Sequence, residues 1–81
     1  MTLTVKLFAA ARDLAGAESV SVSLKSGATV AELRQLLGEQ VPALTGLLTR
    51  SAIAVNHDFA EETTLVNEGD EVAVIPPVSG G

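Results

Sequence analysis

The feature that most constrains the fold of this chain is a change of hydrophobic period. Residues 2–8 and 18–24 alternate between apolar and polar side chains, as half-buried strands do. Thr29 and Glu32 then have the spacing of a capping box, which begins a helix by pairing backbone amides of its first turn. The helix that follows has one apolar stripe, formed by Val30, Leu33, Leu36 and Leu37. A helix with one stripe and a sheet with one apolar face are expected to bury these surfaces on each other.

The second half of the chain predicts two further strands. Pro42 is expected to end the helix, and residues 52–55 and 71–75 have the pattern of strands. Residues 59–68, between these strands, are mixed in character, and Leu65 is the expected anchor of this segment. The predicted class is therefore α+β, with a sheet packed on one main helix. The ubiquitin-like β-grasp is a fold with this order of elements, and it implies a mixed sheet, although the pattern alone does not show that the first and last strands pair in parallel.

Size, charge and composition exclude several classes of protein. Eighty-one residues form one small domain, and 47% apolar residues are enough for it to fold. The formal net charge of −5 argues against binding to nucleic acid or to an acidic membrane surface. No apolar stretch is long enough to span a membrane and no signal-peptide pattern is present, so we expect a cytoplasmic protein. Without cysteine, and with His57 as the single histidine, a thiolate nucleophile and a metal site are not expected.

The final residues have the most distinctive pattern in the chain. Pro76-Pro77 cannot donate backbone hydrogen bonds to a sheet, so we expect a β-grasp domain over residues 1–75 and a flexible tail over 76–81. Polyproline geometry should direct this tail away from the body of the protein. The two terminal glycines have no side chains and would fit a narrow channel. The distinctive chemical group of the tail is therefore the α-carboxylate of Gly81.

Short motifs are spread over the whole chain. They are Leu7-Phe8-Ala9 with Arg12-Asp13-Leu14 and Gly16, then Ala54-Val55-Asn56, then Glu68-Gly69-Asp70-Glu71-Val72, and finally Pro76-Pro77-Val78-Ser79-Gly80-Gly81. These motifs resemble those of the small, sulfur-carrier subunits of molybdopterin synthase. The last motif is the most specific, whereas Gly-Gly alone is shared by all ubiquitin-like carriers. The family often has an aromatic residue where this chain has Ile75.

The resemblance implies a chemical role for the tail. An ATP-dependent adenylyltransferase of the ubiquitin-activating type would adenylate Gly81, and a persulfide sulfur donor would convert the adenylate to a thiocarboxylate. The tail would then enter the large subunit of molybdopterin synthase and deliver sulfur to cyclic pyranopterin monophosphate. The residues expected to insert ahead of Gly81 are Pro76, Pro77, Val78, Ser79 and Gly80. The chain itself would be non-catalytic and would bind no cofactor stably, since ATP is used by the activating partner.

The predicted sheet also has apolar residues on the face away from the helix. Phe8, Ile75 and several alanines lie on this face if the strands alternate as predicted, which is typical of a surface that binds a protein partner. The candidate interface residues are Phe8, Arg12, Phe59 and Ile75. The alternative is that Phe8 and Ile75 fold over a local pocket. His57 is expected to be an exposed turn residue, and Glu71 is expected to belong to a solvated acidic turn.

Three other functions remain open from the sequence. A sulfur carrier for thiamine synthesis or tRNA thiolation would have the same fold and tail. A ubiquitin-like protein modifier would be conjugated through Gly81 to lysines, and it would form larger adducts in cell extract supplied with ATP. A passive interaction module would keep its full activity after deletion of Gly80 and Gly81.

Overall fold

The computed structural model describes residues 1–77, and Val78, Ser79, Gly80 and Gly81 lie outside the described residues. The strands are β1 (Thr2–Leu7), β2 (Ser19–Ser23), β3 (Ala52–Val55), β4 (Asp58–Phe59) and β5 (Val72–Ile75). The helices are α1 (Ala9–Ala15), α2 (Val30–Gln40) and α3 (Thr45–Leu48), with a 3₁₀ turn at Pro42–Leu44 before α3. No helix within these 77 residues is long and apolar enough to cross a membrane.

The strands form one mixed sheet in the order β2-β1-β5-β3-β4. The first and last strands, β1 and β5, pair in parallel at the centre, with Lys6 opposite Ala73, and the other pairs are antiparallel. This topology confirms the predicted α+β class and the ubiquitin-like β-grasp. The sequence pattern does not predict β4, which has only two residues and closes a tight hairpin with β3.

One face of the sheet packs against α2 and forms the core. The alternating residues of β1 and β5, together with Val30, Leu33 and Leu37 of α2, are almost completely buried. Each such aliphatic side chain contributes about 2 kcal/mol of transfer free energy to folding. Leu36, which the stripe also includes, is 37% exposed instead. The stripe that the sheet covers is therefore narrower than the sequence predicts.

The ends of α2 follow the sequence signals. The Thr29 hydroxyl accepts a hydrogen bond from the Glu32 amide at 3.3 Å, and the Glu32 carboxylate accepts one from the Thr29 amide at 3.4 Å. This is the predicted capping box. The helix ends at Gln40, before Pro42, as expected. These local signals fix where the main helix lies in the chain.

The loop before β5 corrects one prediction. Leu65 is 55% exposed, whereas Val66 is fully buried, so the anchor of this segment is Val66 rather than Leu65. The reason is an isolated bridge between Thr29 and Leu65, together with a hydrogen bond of 2.9 Å from the Val66 amide to the Ala28 carbonyl. Because neighbouring residues in extended chain point to opposite sides, this pairing directs Leu65 outward.

The Arg34 side chain connects α2 to two other parts of the chain. Its Nε and Nη2 donate to the two carboxylate oxygens of Glu62 at 2.9 and 2.8 Å. Its Nη1 donates to the carbonyls of Leu48 and Ser51, the latter at 2.6 Å. Arg34 thereby holds the end of α3 and the loop before β5 against the helix. A planar guanidinium makes such a connection because its donors are fixed in a fork.

Candidate functional site

A groove of about 290 Å³ lies on the face of the sheet away from α2, and we call it the sheet groove. It crosses β1, β5 and β3, the strands at the centre of the sheet. Ala54 and Ala73 are directly opposite each other in β3 and β5, and their small side chains leave room for the groove. Its lining residues are Lys6, Phe8, Ala54, His57, Phe59, Glu71, Ala73 and Ile75.

The apolar part of the sheet groove has two exposed aromatic side chains. Phe8 follows β1 and is the N-cap residue of α1, and its side chain is 46% exposed. Phe59 lies in β4, opposite Ala54, and is 77% exposed. Ile75, the last residue of β5, is half-buried. Apolar surface concentrated in one groove is typical of a site that another protein covers.

The other end of the sheet groove is charged. The Glu71 carboxylate forms an ion pair with the Lys6 ammonium, and its second oxygen lies 2.9 Å from Nε2 of His57. The hydrogen bond and charge of Lys6, followed by the charge of His57, hold the pKa of Glu71 below its ordinary value. This charged rim, formed by Lys6, His57 and Glu71, keeps an ionised carboxylate beside the aromatic wall.

The β3–β4 hairpin places His57 above the sheet groove. Asn56 and His57 are its two turn residues and have positive φ angles of 51° and 72°, as the tight turns of two-residue hairpins require. The Asn56 side chain accepts a hydrogen bond from the Glu71 amide at 2.9 Å and donates one to the Asp70 carboxylate at 3.0 Å. The turn is thus tied to the residues just before β5, which fixes His57 next to Glu71.

The structure brings together three of the four predicted interface residues. Phe8, Phe59 and Ile75 line the sheet groove, whereas Arg12 does not. Arg12 lies in α1 and lines a neighbouring depression that shares Lys6 and Phe8 with the sheet groove. The acidic oxygen closest to its guanidinium is 4.0 Å away on Asp13. Arg12 is therefore not part of the sheet groove, and its role in binding a partner stays a prediction.

The predicted tail begins directly at the sheet groove. Ile75 lines the groove, Pro76 is half-buried and Pro77 is exposed. The other predicted tail residues, Val78, Ser79, Gly80 and Gly81, lie outside the described residues, so their role and the division at residue 75 stay predictions. A protein that binds in the groove would lie next to the point where the chain continues into these residues.

Sequence reasoning missed the charged rim. His57 is 83% exposed and in a turn, as expected, but its contact with Glu71 was not foreseen. The sequence pattern predicts a solvated turn at Glu71. Its alternation with Ala73 and Ile75 is a signal for the rim, because alternate residues of a strand share a face. Lys6 likewise precedes Phe8 by two residues. The parallel pairing of β1 with β5 is what brings Lys6 and Phe8 next to the alternating residues that begin at Glu71.

The chemistry of the site is that of a binding surface. Among residues 1–77, no group of three or more His, Asp or Glu side chains is arranged to hold a metal ion. The sheet groove offers aromatic and aliphatic surface with one compensated cluster of charges. This arrangement can recognise an apolar side chain and a neighbouring charged group of another protein.

Comparisons with known proteins agree with this fold. The ThiS family model matches residues 5–81. The molybdopterin synthase sulfur carrier subunit of Arabidopsis thaliana is 33% identical over 79 residues, which cover 98% of this chain and 82% of that protein. The crystal structure of SAMP1 from Haloferax volcanii has a TM-score of 0.89 and 30% identity, and the match covers 100% of both chains.

A further structure includes a partner protein. A chain of the complex of subunits 1 and 2 of molybdopterin-converting factor from Helicobacter pylori matches with a TM-score of 0.71 and 26% identity, covering 100% of both chains. The family match spans nearly all of the present sequence, and the Arabidopsis relative is aligned over most of its own length. The chain therefore belongs to the ThiS family.

Proposed function

We propose that this chain is the sulfur-carrier subunit of molybdopterin synthase and that Gly81 is its carrier residue. The observation that carries the proposal is the position of the sheet groove, whose lining includes Ile75, the residue from which the chain continues through Pro76 and Pro77. The naming of the Arabidopsis relative and the two-subunit complex from Helicobacter pylori support this assignment. The large synthase subunit would bind the groove and receive the residues that follow it.

The first chemical step activates Gly81. A carboxylate is a poor electrophile, because attack at its carbon would have to expel an oxide. The Gly81 carboxylate oxygen therefore attacks the α-phosphorus of ATP in a partner adenylyltransferase, forming an acyl-adenylate and releasing pyrophosphate. AMP is then a good leaving group at the acyl carbon. The lack of a side chain at Gly81 allows a close approach of the activating enzyme to this carbon.

The second step replaces oxygen by sulfur. The terminal sulfur of a persulfide donor attacks the acyl carbon, AMP leaves, and an acyl disulfide links the two proteins. A thiol then reduces this disulfide, forming a new disulfide on the donor and releasing the thiocarboxylate of Gly81. Since the chain has no cysteine, the sulfur is held at this one carbon. The large subunit would then transfer it to cyclic pyranopterin monophosphate.

The test distinguishes a loss of binding to the large subunit from a loss of sulfur transfer. Carrier charged with sulfur is mixed with the large subunit and the pterin substrate, and product is measured for three forms of the chain. The unmodified form should give product. A form with leucine added after residue 81 should give none, whereas Phe8→Glu should give product only at raised carrier concentration, because it weakens docking. Full activity of the leucine-extended form without trimming would overturn the proposal.

A second candidate is a protein modifier joined to lysines through Gly81. The likeness to SAMP1 favours it, since a protein of this name from Methanosarcina acetivorans is described as small archaeal modifier protein 1. The measurement is an immunoblot of tagged chain in cell extract with ATP. Adducts of higher mass that depend on Gly81 would indicate a modifier, and a single band would indicate a carrier.

A further inference from the structure

The outer strand β2 has backbone groups that face away from the sheet. It is the terminal strand in the order β2-β1-β5-β3-β4, so within residues 1–77 no strand lies on its other side. Its ladder with β1 includes hydrogen bonds of 2.8 Å from the Leu24 amide to the Met1 carbonyl and from the Leu7 amide to the Glu18 carbonyl. Since antiparallel ladders alternate, the even-numbered residues of β2 bond to β1. The backbone groups of Ser19, Ser21 and Ser23 therefore face outward.

This edge has little of the protection that edge strands usually have. Residues 19–23 include no proline, no glycine and no charged side chain. Within residues 1–77, the one contact that protects the edge is made by the Gln40 side chain, whose amide nitrogen donates a hydrogen bond to the Ser21 carbonyl at 2.7 Å. That carbonyl is the central outward acceptor of the strand. The other outward groups have no comparable cap within residues 1–77.

The sequence of β2 is also complementary to itself. Ser19-Val20-Ser21-Val22-Ser23 reads the same in both directions. Two copies placed antiparallel about Ser21 would set Ser21 opposite Ser21 and Val20 opposite Val22 of the second copy. The outward amides and carbonyls of the three serines would then form hydrogen-bonded pairs.

We propose that β2 is a self-pairing edge through which two copies of this chain form a symmetric dimer with one continuous sheet. The proposal does not depend on the function of Gly81. Gln40 competes with the second copy for the Ser21 carbonyl, so it limits the strength of the dimer. A single short strand pair and a net charge of −5 on each copy also make the dimer weak and favoured by salt.

Apolar surface next to the edge supports this assignment. Val20 is only half-buried, and a second copy paired at this edge would cover more of its side chain. Leu36 is 37% exposed and lies one turn before Gln40, on the same side of α2. Leu36 therefore lies on the side of α2 from which Gln40 reaches β2. The outward backbone groups of β2 and these partly exposed apolar side chains therefore lie at the same edge of the sheet.

Charge pairing at the symmetry axis provides the test. The full chain is studied by analytical ultracentrifugation from about 10 µM to 1 mM, the range in which weak complexes form. Ser21→Lys and Ser21→Asp should each raise the dimer Kd about fivefold, because like charges then meet across the axis. An equimolar mixture of the two variants should dimerise at least as well as the unmodified chain. Gln40→Ala should lower the dimer Kd severalfold, because it frees the Ser21 carbonyl.

The control places the same charges elsewhere. Thr63 is an exposed turn residue outside the sheet, so Thr63→Lys and Thr63→Asp should leave the Kd unchanged apart from the small effect of net charge. Far-ultraviolet circular dichroism verifies that every variant is folded. The proposal is overturned if the unmodified chain and Gln40→Ala both stay monomeric at 1 mM, or if mixing the two Ser21 variants restores no dimer.

Discussion

Glu71 is the residue on which the charged rim of the sheet groove depends, because it contacts both Lys6 and His57. Its pKa is lowered mainly by Lys6, so its ionised form is favoured in the folded protein. This contribution to stability is complete above the pKa that Glu71 has in the unfolded chain. It is lost as the pH falls through the lower pKa of the folded state. Because the group is solvent-exposed, the effect is better measured as a titration than as a melting temperature.

The rim predicts a specific titration shift. Lys6→Met should raise the pKa of Glu71 toward its ordinary value, because the variant loses both the hydrogen bond and the positive charge. The pKa is measured by carbon-13 NMR of the Glu71 carboxyl group. Lys25→Met is the matched control, since Lys25 lies 3.5 Å from the Glu32 carboxylate instead. An equal pKa of Glu71 in both variants would show that Lys6 does not hold it.

Phe59 allows docking to be separated from folding. Its side chain is 77% exposed, so Phe59→Ala should change the free energy of unfolding by no more than about 0.5 kcal/mol. The same change should raise the Kd for the large synthase subunit about tenfold, because a partner in the sheet groove buries this ring. Calorimetric titration measures the Kd. Leu65→Ala is the control: it removes another exposed apolar side chain outside the groove and should leave the Kd unchanged.

At the scale of elements, Arg34 joins α2 to α3 and to the loop that precedes β5. Arg34→Met should lower the free energy of unfolding by about 2 kcal/mol, because it leaves carbonyls and the Glu62 carboxylate without their donor. Urea unfolding measures this loss. Arg50→Met is the matched control, since Arg50 is exposed and its side chain makes no hydrogen bond within residues 1–77. Equal destabilisation by the two substitutions would contradict this role of Arg34.

The elements that sequence could predict are those fixed by local chemistry. The alternation of β1 and β2 and the Thr29 capping box depend on residues close together in the chain, and each was found where expected. The exposure of Leu65 depends on a bridge to Thr29, which is distant in sequence. Leu65 and Val66 are both apolar, so the sequence pattern allows either of them to face the core, depending on the register of the segment. Only the tertiary pairing decides that Val66 enters the core.

At the scale of the whole molecule, the candidate site combines strands from both ends of the chain. The sequence placed Phe8 and Ile75 on one face, because each follows the alternation of its own strand. The contact between Lys6 and Glu71 required the parallel pairing of β1 with β5, which alternation does not determine. The position of Arg12 outside the groove likewise depends on the direction in which α1 leaves β1. Motif resemblance identified residues of the family but not which of them share a surface.

The central proposal is that the β-grasp domain binds the partner protein and that Gly81 carries the sulfur. The most direct measurement is the mass of the C-terminal peptide from protein produced in sulfur-replete cells that synthesise the molybdenum cofactor. We predict an increment equal to the exchange of one oxygen for one sulfur, confined to the peptide that contains Gly81 and absent when Gly81 is deleted. An unmodified C-terminal peptide, in cells that make the cofactor with this chain as their only carrier, would contradict the proposal.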